Sequence, residues 1–284
     1  MNIKLIITEI YLFMKKKIKY TVFGHTGFLG SNIVNYLKKQ NCDVFLPHRN
    51  KFKFSKNLNY VIYCIGSDDV LENPINAIVS NILLLTKIIL KNKFKKFIYI
   101  SSTRLYLNSK NTKENSKINI DANKKTYFFN TLKIASENFC LSQINKNIKV
   151  VRLCNLYGHN FKNHVYLLPT LIRNALKKKK IKIYINKKSK KNYLNVYDAI
   201  NIIIKIINNS KYRLYNISSN KRITIEQIAS KINDVTNCKV IYSHQKERID
   251  EPKIDISRIK KEFNFRPTNN FNKFIVEIIK NYKW

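Results

Sequence analysis

Short apolar runs alternate with longer stretches of mixed polarity through the first half of the chain. Residues 18–23 read as a buried strand, followed by the turn GHTGFLG and a helix with Leu29, Ile33 and Leu37 on one face. Residues 43–46 form a second strand pattern, halted by Pro47, and residues 60–65 a third, ending at Gly66. A long helix over about 74–91 leads to a strand at 97–100 that runs into Ser101-Ser102-Thr103. A helix over about 128–143 and a strand at 150–153 complete this half. Strands alternating with helices imply βαβ crossovers, and so an α/β fold with a doubly wound parallel sheet. The rhythm lacks one strand, between residues 50 and 59.

After residue 166 the pattern loosens. Residues 167–176 are helical in period, a Lys-rich segment follows, and 193–196 read as a strand returning to the sheet. Helices are expected over 198–208 and 224–232, the second opening on a capping-box pair, Thr224 and Gln227. The last forty residues form a smaller α/β region, placing a second lobe over the carboxyl edge of the sheet, where such folds bind ligands.

Composition changes this picture in one respect. The 284 residues include 45 Lys, 43 Ile and 39 Asn but only 5 Gly and 9 Arg. Lys, Ile and Asn share AT-rich codons, so tolerant positions have drifted towards them. Glycines that resist the drift mark places where the backbone needs them, and three of the five, Gly24, Gly27 and Gly30, fall in one turn.

The net charge of +37 invites a nucleic-acid reading, but the excess is nearly all Lys and is spread along the chain. Specific recognition of phosphate and base edges favours the bidentate fork of Arg, so no specific nucleic-acid partner is expected. The densest cluster, nine Lys between residues 177 and 191, reads as a solvated basic surface, with an anionic ligand or membrane-surface patch as the alternative. No apolar run reaches the roughly 18–20 residues of a membrane span. Five Cys at wide spacing, with no C-x-x-C pair, read as reduced thiols of a cytoplasmic protein. No His, Cys and Asp cluster has metal-ligand spacing, so no metal is expected. Residues 1–13 carry their positive charge after the apolar run rather than before it, unlike a secretory leader, and read as a non-essential extension.

The turn Gly24-His25-Thr26-Gly27-Phe28-Leu29-Gly30 follows a strand and opens a helix. In that setting the first glycine permits a tight turn, the second lets backbone approach a pyrophosphate, and the third allows close helix–strand packing. Free N–H groups at the helix start then face the phosphates. The spacing is G-x-x-G-x-x-G rather than G-x-G-x-x-G.

With this turn, the chain resembles the extended short-chain dehydrogenases/reductases of the NAD-dependent epimerase/dehydratase family, which mostly act on nucleotide sugars. The resemblance continues through Tyr60–Gly66, Phe97–Tyr106, Lys133–Glu137, Arg152–Gly158 and Tyr193–Asp198. It ends with Tyr215–Ser219 and Phe263–Pro267, and so covers about residues 17–284. It implies a Rossmann-type dinucleotide-binding domain over 17–165, with a returning segment near 191–218. A smaller C-terminal α/β substrate-binding lobe would comprise 166–190 and 219–284, with 1–16 as an extension. It further implies a homodimer, a nucleotide-sugar substrate, and a cofactor held by Gly24, Thr26, Gly27, Phe28, Leu29, Gly30, Cys64, Gly66 and Lys133.

The family's acid for the adenosine ribose normally ends the second strand, where this chain has His48 and Arg49. A 2′-phosphate would not be repelled there, and Arg49 could pair with it, which tilts the expectation from NAD to NADP. An exposed loop arginine is the equal alternative.

In the family a Ser/Thr, a Tyr and, four residues on, a Lys carry the chemistry. The Tyr exchanges a proton with the sugar as hydride passes to or from the nicotinamide, and the Lys lowers the Tyr pKa. The matching positions are Ser102, Phe129 and Lys133. Phe129 keeps the ring but has no proton to give. Tyr127 lies six residues before Lys133, about 240° around a helix, and serves only if the helix starts late or bulges. Thr103-Arg104 stand where the 4,6-dehydratases have Asp-Glu, which disfavours water elimination. Ser102, Thr103 and Asn155 are the substrate-contacting candidates, Asn155 with an ordinary turn residue as its alternative. The favoured reading is a nucleotide-sugar epimerase or ketoreductase for surface polysaccharide. The alternative is an NAD(P)-binding protein whose catalysis Phe129 impairs.

Overall fold

The computed structural model describes residues 17–48, 57–66, 70–158, 166–243, 247–268 and 270–281. The expectations for residues 1–16 and for Arg49 fall outside these.

Strand β1 (Lys19–Phe23) ends at the glycine turn, which feeds helix α1 (Phe28–Lys39). The chain then lays β2 (Asp43–Phe45) on one side of β1 and crosses to the other for β3 (Tyr60–Tyr63). Helix α2 (Pro74–Lys91), strand β4 (Lys96–Ser102), helix α3 (Phe128–Ser142) and strand β5 (Ile148–Leu153) follow. Strand β9 (Leu214–Ile217) closes a six-stranded sheet in the order β2-β1-β3-β4-β5-β9, every pair parallel. The direction of winding reverses between β1 and β3, so their carboxyl ends open a crevice, the usual ligand position in doubly wound sheets.

Central strands carry apolar side chains on both faces, as a sheet covered on both sides requires. Val22, Ile62, Ile98 and Val151 pack into one core, and Val61, Tyr63, Phe97, Tyr99 and Val150 into the other.

Helix α2 is the one described stretch long and apolar enough to cross a membrane, with a third of it buried. It instead covers the sheet, with Leu85 and Ile88 in the core. A π-helical turn, Val79–Leu83, widens it in the middle. Such a turn frees carbonyls from the helical ladder. Here Ser80 O accepts from Tyr63 Oη at 2.5 Å and Asn81 O from Ser136 Oγ at 2.8 Å, stapling α2 to β3 and α3.

The segment at 193–196 does not return to the main sheet as its pattern suggested. It belongs to β8 (Lys190–Asn195), the centre of a separate three-stranded sheet with β6 (Asn155–Tyr157) and β10 (Arg222–Thr224). The strand that rejoins the main sheet is β9. A strand's alternation reports that one face is buried, not which neighbour it pairs with. The remaining elements are α4 (Leu167–Lys178), β7 (Lys180–Ile183), α5 (Val196–Asn209), α6 (Ile225–Thr236), β11 (Lys239–Tyr242), α7 (Ser257–Phe263) and α8 (Phe271–Lys280). At α6, Thr224 Oγ1 accepts from Gln227 N and Gln227 Oε1 from Thr224 N, the reciprocal box expected from sequence.

Candidate active site

The glycine turn is built by two close approaches. Gly24 has φ +78°, and a Cβ there would meet the backbone carbon of Cys64 at 2.9 Å, so β1 and β3 can lie this close only without a side chain. A Cβ on Gly30 would stand 2.1 Å from Gly24 O, so α1 rests directly on the turn. At Gly27 the same test finds only Gly24 O, at 3.4 Å. Helix α1 starts at Gly27 with no side-chain cap and no acid in its first turn, leaving its first N–H groups and the positive end of its dipole for an anion.

This turn forms one wall of a cleft of about 440 Å³. Gly24, Gly27, Phe28, Leu29, Gly30, Cys64, Gly66, Ser102, Phe129, Lys133 and Asn155 all line it. Thr26 is exposed on the turn, and Thr103 is buried in the 3-10 turn after β4; neither is among the described lining residues. Burial pushes the Cys64 thiol up to about 12, so it stands in the wall as a neutral group.

Lys133 is buried on α3 and donates to Ile100 O at 3.3 Å, which anchors its ammonium at the carboxyl end of β4. Its Nζ lies 5.8 Å from the Phe129 ring centroid and 5.1 Å from that of Tyr99. Ser102 Oγ accepts from Arg104 N at 3.1 Å, which leaves its own proton to donate. The Arg104 guanidinium also stands over the Phe129 ring, 5.2 Å from its centroid. Helix α3 begins at Phe128, after a 3-10 turn ending at Tyr127. Tyr127 therefore precedes the helix, yet its hydroxyl accepts from Asn108 Nδ2 at 2.9 Å and does not line the cleft.

Asn155 Nδ2 donates to both oxygens of Glu251, at 3.1 and 3.0 Å, and to Asn192 O. Glu251 also takes Lys191 Nζ at 3.1 Å and Asn192 N at 2.7 Å. Lys191 and Tyr193 of β8, with Tyr166 and Ile185, also line the cleft, and none was singled out as a site residue from sequence. One usable signal was the scarcity of acids, 17 against 54 basic residues. Among the carboxylates retained under that bias, Glu251, Glu137 and Glu114 are bonded in the fold.

The sequence model of the NAD dependent epimerase/dehydratase family matches residues 52–218, more than half the chain. The chain belongs to that family. A curated relative from Bacillus cytotoxicus, a UDP-N-acetyl-alpha-D-glucosaminuronate decarboxylase, is 23% identical, with 94% of this chain and 97% of that protein covered. A dTDP-glucose 4,6-dehydratase from Bacillus anthracis in complex with NAD has the same fold, with TM-score 0.74 at 16% identity and coverage of 93% and 96%. A UDP-N-acetylglucosamine 4-epimerase from Methanobrevibacter ruminantium in complex with UDP-N-acetylmuramic acid gives TM-score 0.79 at 20% identity, covering 93% and 98%.

The residues present fit the dinucleotide of an epimerase/dehydratase-family member. Bare backbone at Gly27 and the uncapped start of α1 suit a pyrophosphate. Deeper in, Asn81 Oδ1 is buried without a hydrogen-bond partner, 3.7 Å from where a Cβ on Gly66 would stand, and Lys133 Nζ is 3.1 Å from the same point. An unmet acceptor and an ammonium thus face one glycine, Gly66, which lines the cleft.

Proposed function

We propose that this chain binds NAD(P)(H) and a nucleotide sugar in the 440 Å³ cleft and exchanges hydride at one sugar carbon. Epimerisation or keto reduction is favoured over 4,6-dehydration. The reading rests on one observation: the glycine turn, Gly66, Ser102 and Lys133, which come from four separate elements, meet in one cleft. When bound, the nicotinamide supplies the hydride acceptor or donor. Gly24, Gly27 and Gly30 with the start of α1 hold its pyrophosphate, and Lys133 and Gly66 its inner end. Ser102 donates a hydrogen bond to the reacting oxygen of the sugar. Lys191 and Asn155 take the nucleotide end, a reading supported by the bonds both make to Glu251.

Phe129 has no proton to exchange, so proton transfer falls to Lys133, the cationic group lining the cleft beside the ring, directly or through one water. In keto reduction the Lys133 ammonium would give its proton to the carbonyl oxygen, and in the reverse oxidation the neutral amine would take the hydroxyl proton, with a bound nicotinamide supplying or accepting the hydride. The impaired-catalysis alternative finds no support in the comparisons, whose named relatives are enzymes. Against 4,6-dehydration, Thr103 and Arg104 offer no carboxylate to drive loss of water. The lean towards NADP depends on the missing acid at His48, and parallel titrations with NADH and NADPH decide it.

The test pairs fluorescence titration of both cofactors with a screen of nucleotide sugars, using wild type, Phe129→Tyr and Lys133→Met. Wild type is expected to turn over a sugar, and Phe129→Tyr to raise kcat by about 100-fold or more, the usual contribution of a placed acid–base group. Lys133→Met is expected to abolish turnover. Failure of both cofactors to bind at millimolar concentration would sink the reading, and full activity in Lys133→Met would sink the proton assignment.

A further inference from the structure

A buried polar chain runs behind the cleft. Ser101, next to Ser102, donates from Oγ to Glu137 Oε1 at 2.5 Å. Glu137 lies one helical turn after Lys133 on α3 and takes Arg152 of β5 in a forked pair, Nη2 to Oε2 at 2.7 Å and Nε to Oε1 at 3.0 Å. Arg152 Nη1 donates to Tyr106 Oη at 2.7 Å, and Tyr106 Oη donates to Asn216 Oδ1 of β9 at 2.9 Å. Glu137 is 1% exposed and Arg152 4%. Burial works against the Arg152 charge, but its hydrogen bonds and the charge of Glu137 outweigh this and hold the guanidinium above its ordinary pKa.

The placement of these bonds matters more than their strength. Ser101 and Tyr106 bracket Ser102 and the turn Thr103–Tyr106 that follows it. Glu137 shares its helix with Phe129 and Lys133. The forked pair therefore ties the strand end that presents Ser102 to the helix that presents Lys133, through two groups that never enter the cleft. A buried ion pair contributes little net stability over a well-packed apolar pair, whereas its geometry is tightly specified. We propose that Glu137 and Arg152 are positioning residues that set Ser102 against Lys133. The proposal rests on the reading of the cleft given above.

The decisive variant is Glu137→Leu with Arg152→Met, which leaves no unpaired buried charge. It is combined with Lys133→Met in a cycle read first by NADH and NADPH affinity, which needs no turnover. With positioning, the double variant folds with Tm near wild type, and removing Lys133 then costs at least about fivefold less affinity than in wild type. Effects that simply multiply would overturn the proposal. With a sugar substrate, kcat of the double variant is expected to fall about tenfold to 100-fold while KM stays within about twofold. Unchanged kcat would also overturn it. Glu137→Gln, which keeps acceptors for Ser101, is expected to recover part of the loss. If the double variant fails to fold, Ser101→Ala, which deletes one hydroxyl, must lower kcat in the same direction, and wild-type kcat there rejects the proposal. Wild type that binds neither cofactor defeats the functional reading and this inference with it. Normal wild-type turnover with an indifferent double variant defeats this inference alone.

Discussion

The sharpest test of the glycine turn separates two glycines that a motif treats alike. In Gly30→Ala the new Cβ would sit 2.1 Å from Gly24 O. An ordinary carbon–oxygen contact needs about 3.2 Å, so α1 or the turn must move by about 1 Å, a shift of overpacking size that costs about 1–3 kcal/mol. Ala is otherwise the better helix residue by about 0.5–1 kcal/mol. The net expectation is a loss of about 1–2 kcal/mol in urea unfolding, with weakened NAD(P)H binding because the turn has opened. In Gly27→Ala the Cβ meets only Gly24 O at 3.4 Å, an ordinary contact. That variant is expected to keep wild-type stability within about 0.5 kcal/mol yet to lose cofactor affinity, because the methyl stands where a pyrophosphate approaches. Gly30→Ala as stable as wild type would refute the packing argument. Gly27→Ala with full affinity would refute the placement of the phosphates.

Three further outcomes are expected. Lys179 caps α4 at φ 49°, where an L side chain is strained by about 1–2 kcal/mol and glycine is not; Lys179→Gly should raise stability by about 0.5–1 kcal/mol after glycine's own entropy cost, seen as a higher urea midpoint. Burial raises the Cys64 and Cys154 thiols to about 12, so the folded state keeps protons that the unfolded chain loses from about pH 9. Their contribution is whole below pH 9 and lost as pH rises towards 12; each thiol should cost about 1.4 kcal/mol of stability between pH 7.5 and 10, and Cys154→Ala should show that much less alkaline loss. Tyr127→Phe removes the bond from Asn108, at a cost of about 1 kcal/mol, and should leave turnover within twofold; a large fall in kcat would return Tyr127 to the catalytic role.

The elements that sequence made legible are those whose signal is local. Strands β1, β3, β4 and β5 are short apolar runs stopped by Gly, Ser or Cys-Asn, and the capping box of α6 is written in two residues. What was hidden depends on pairing at a distance. The segment at 193–196 reads as a strand in any sheet, and only its partners Asn155, Leu156 and Tyr157 assign it to the small one. The same holds for the site. The turn is read from its spacing, and Ser102 and Lys133 from the family resemblance, but Glu251 reaches Asn155 across 96 positions, and no local pattern announces such a bond. The start of α3 at Phe128 also settles a point that spacing left open, since it puts Phe129 and Lys133 one turn apart on the same helix.

The compositional drift and the retained glycines then have a single explanation. Among the described residues with positive φ are Asn41, Asn59, Asn108, Asn220, Asn237, Asn264 and Lys179, and Gly24 is the glycine among them. Asn237 and Asn264 end α6 and α7 in the left-handed conformation that glycine commonly holds at helix ends. Asn tolerates that conformation better than other L residues, so left-handed geometry alone does not keep a glycine in this chain. What keeps one at three positions is a neighbour that a Cβ would strike: backbone of Cys64 at Gly24, backbone of Gly24 at Gly30 and Val196 at Gly158, whereas Gly66 faces the flexible end of Lys133 at 3.1 Å. Gly27 is the exception, since a Cβ there would make one ordinary contact, with Gly24 O at 3.4 Å. Packing does not account for Gly27, and the proposed pyrophosphate against that backbone would, so Gly27 is a sharper test of the proposal than the three glycines that packing explains.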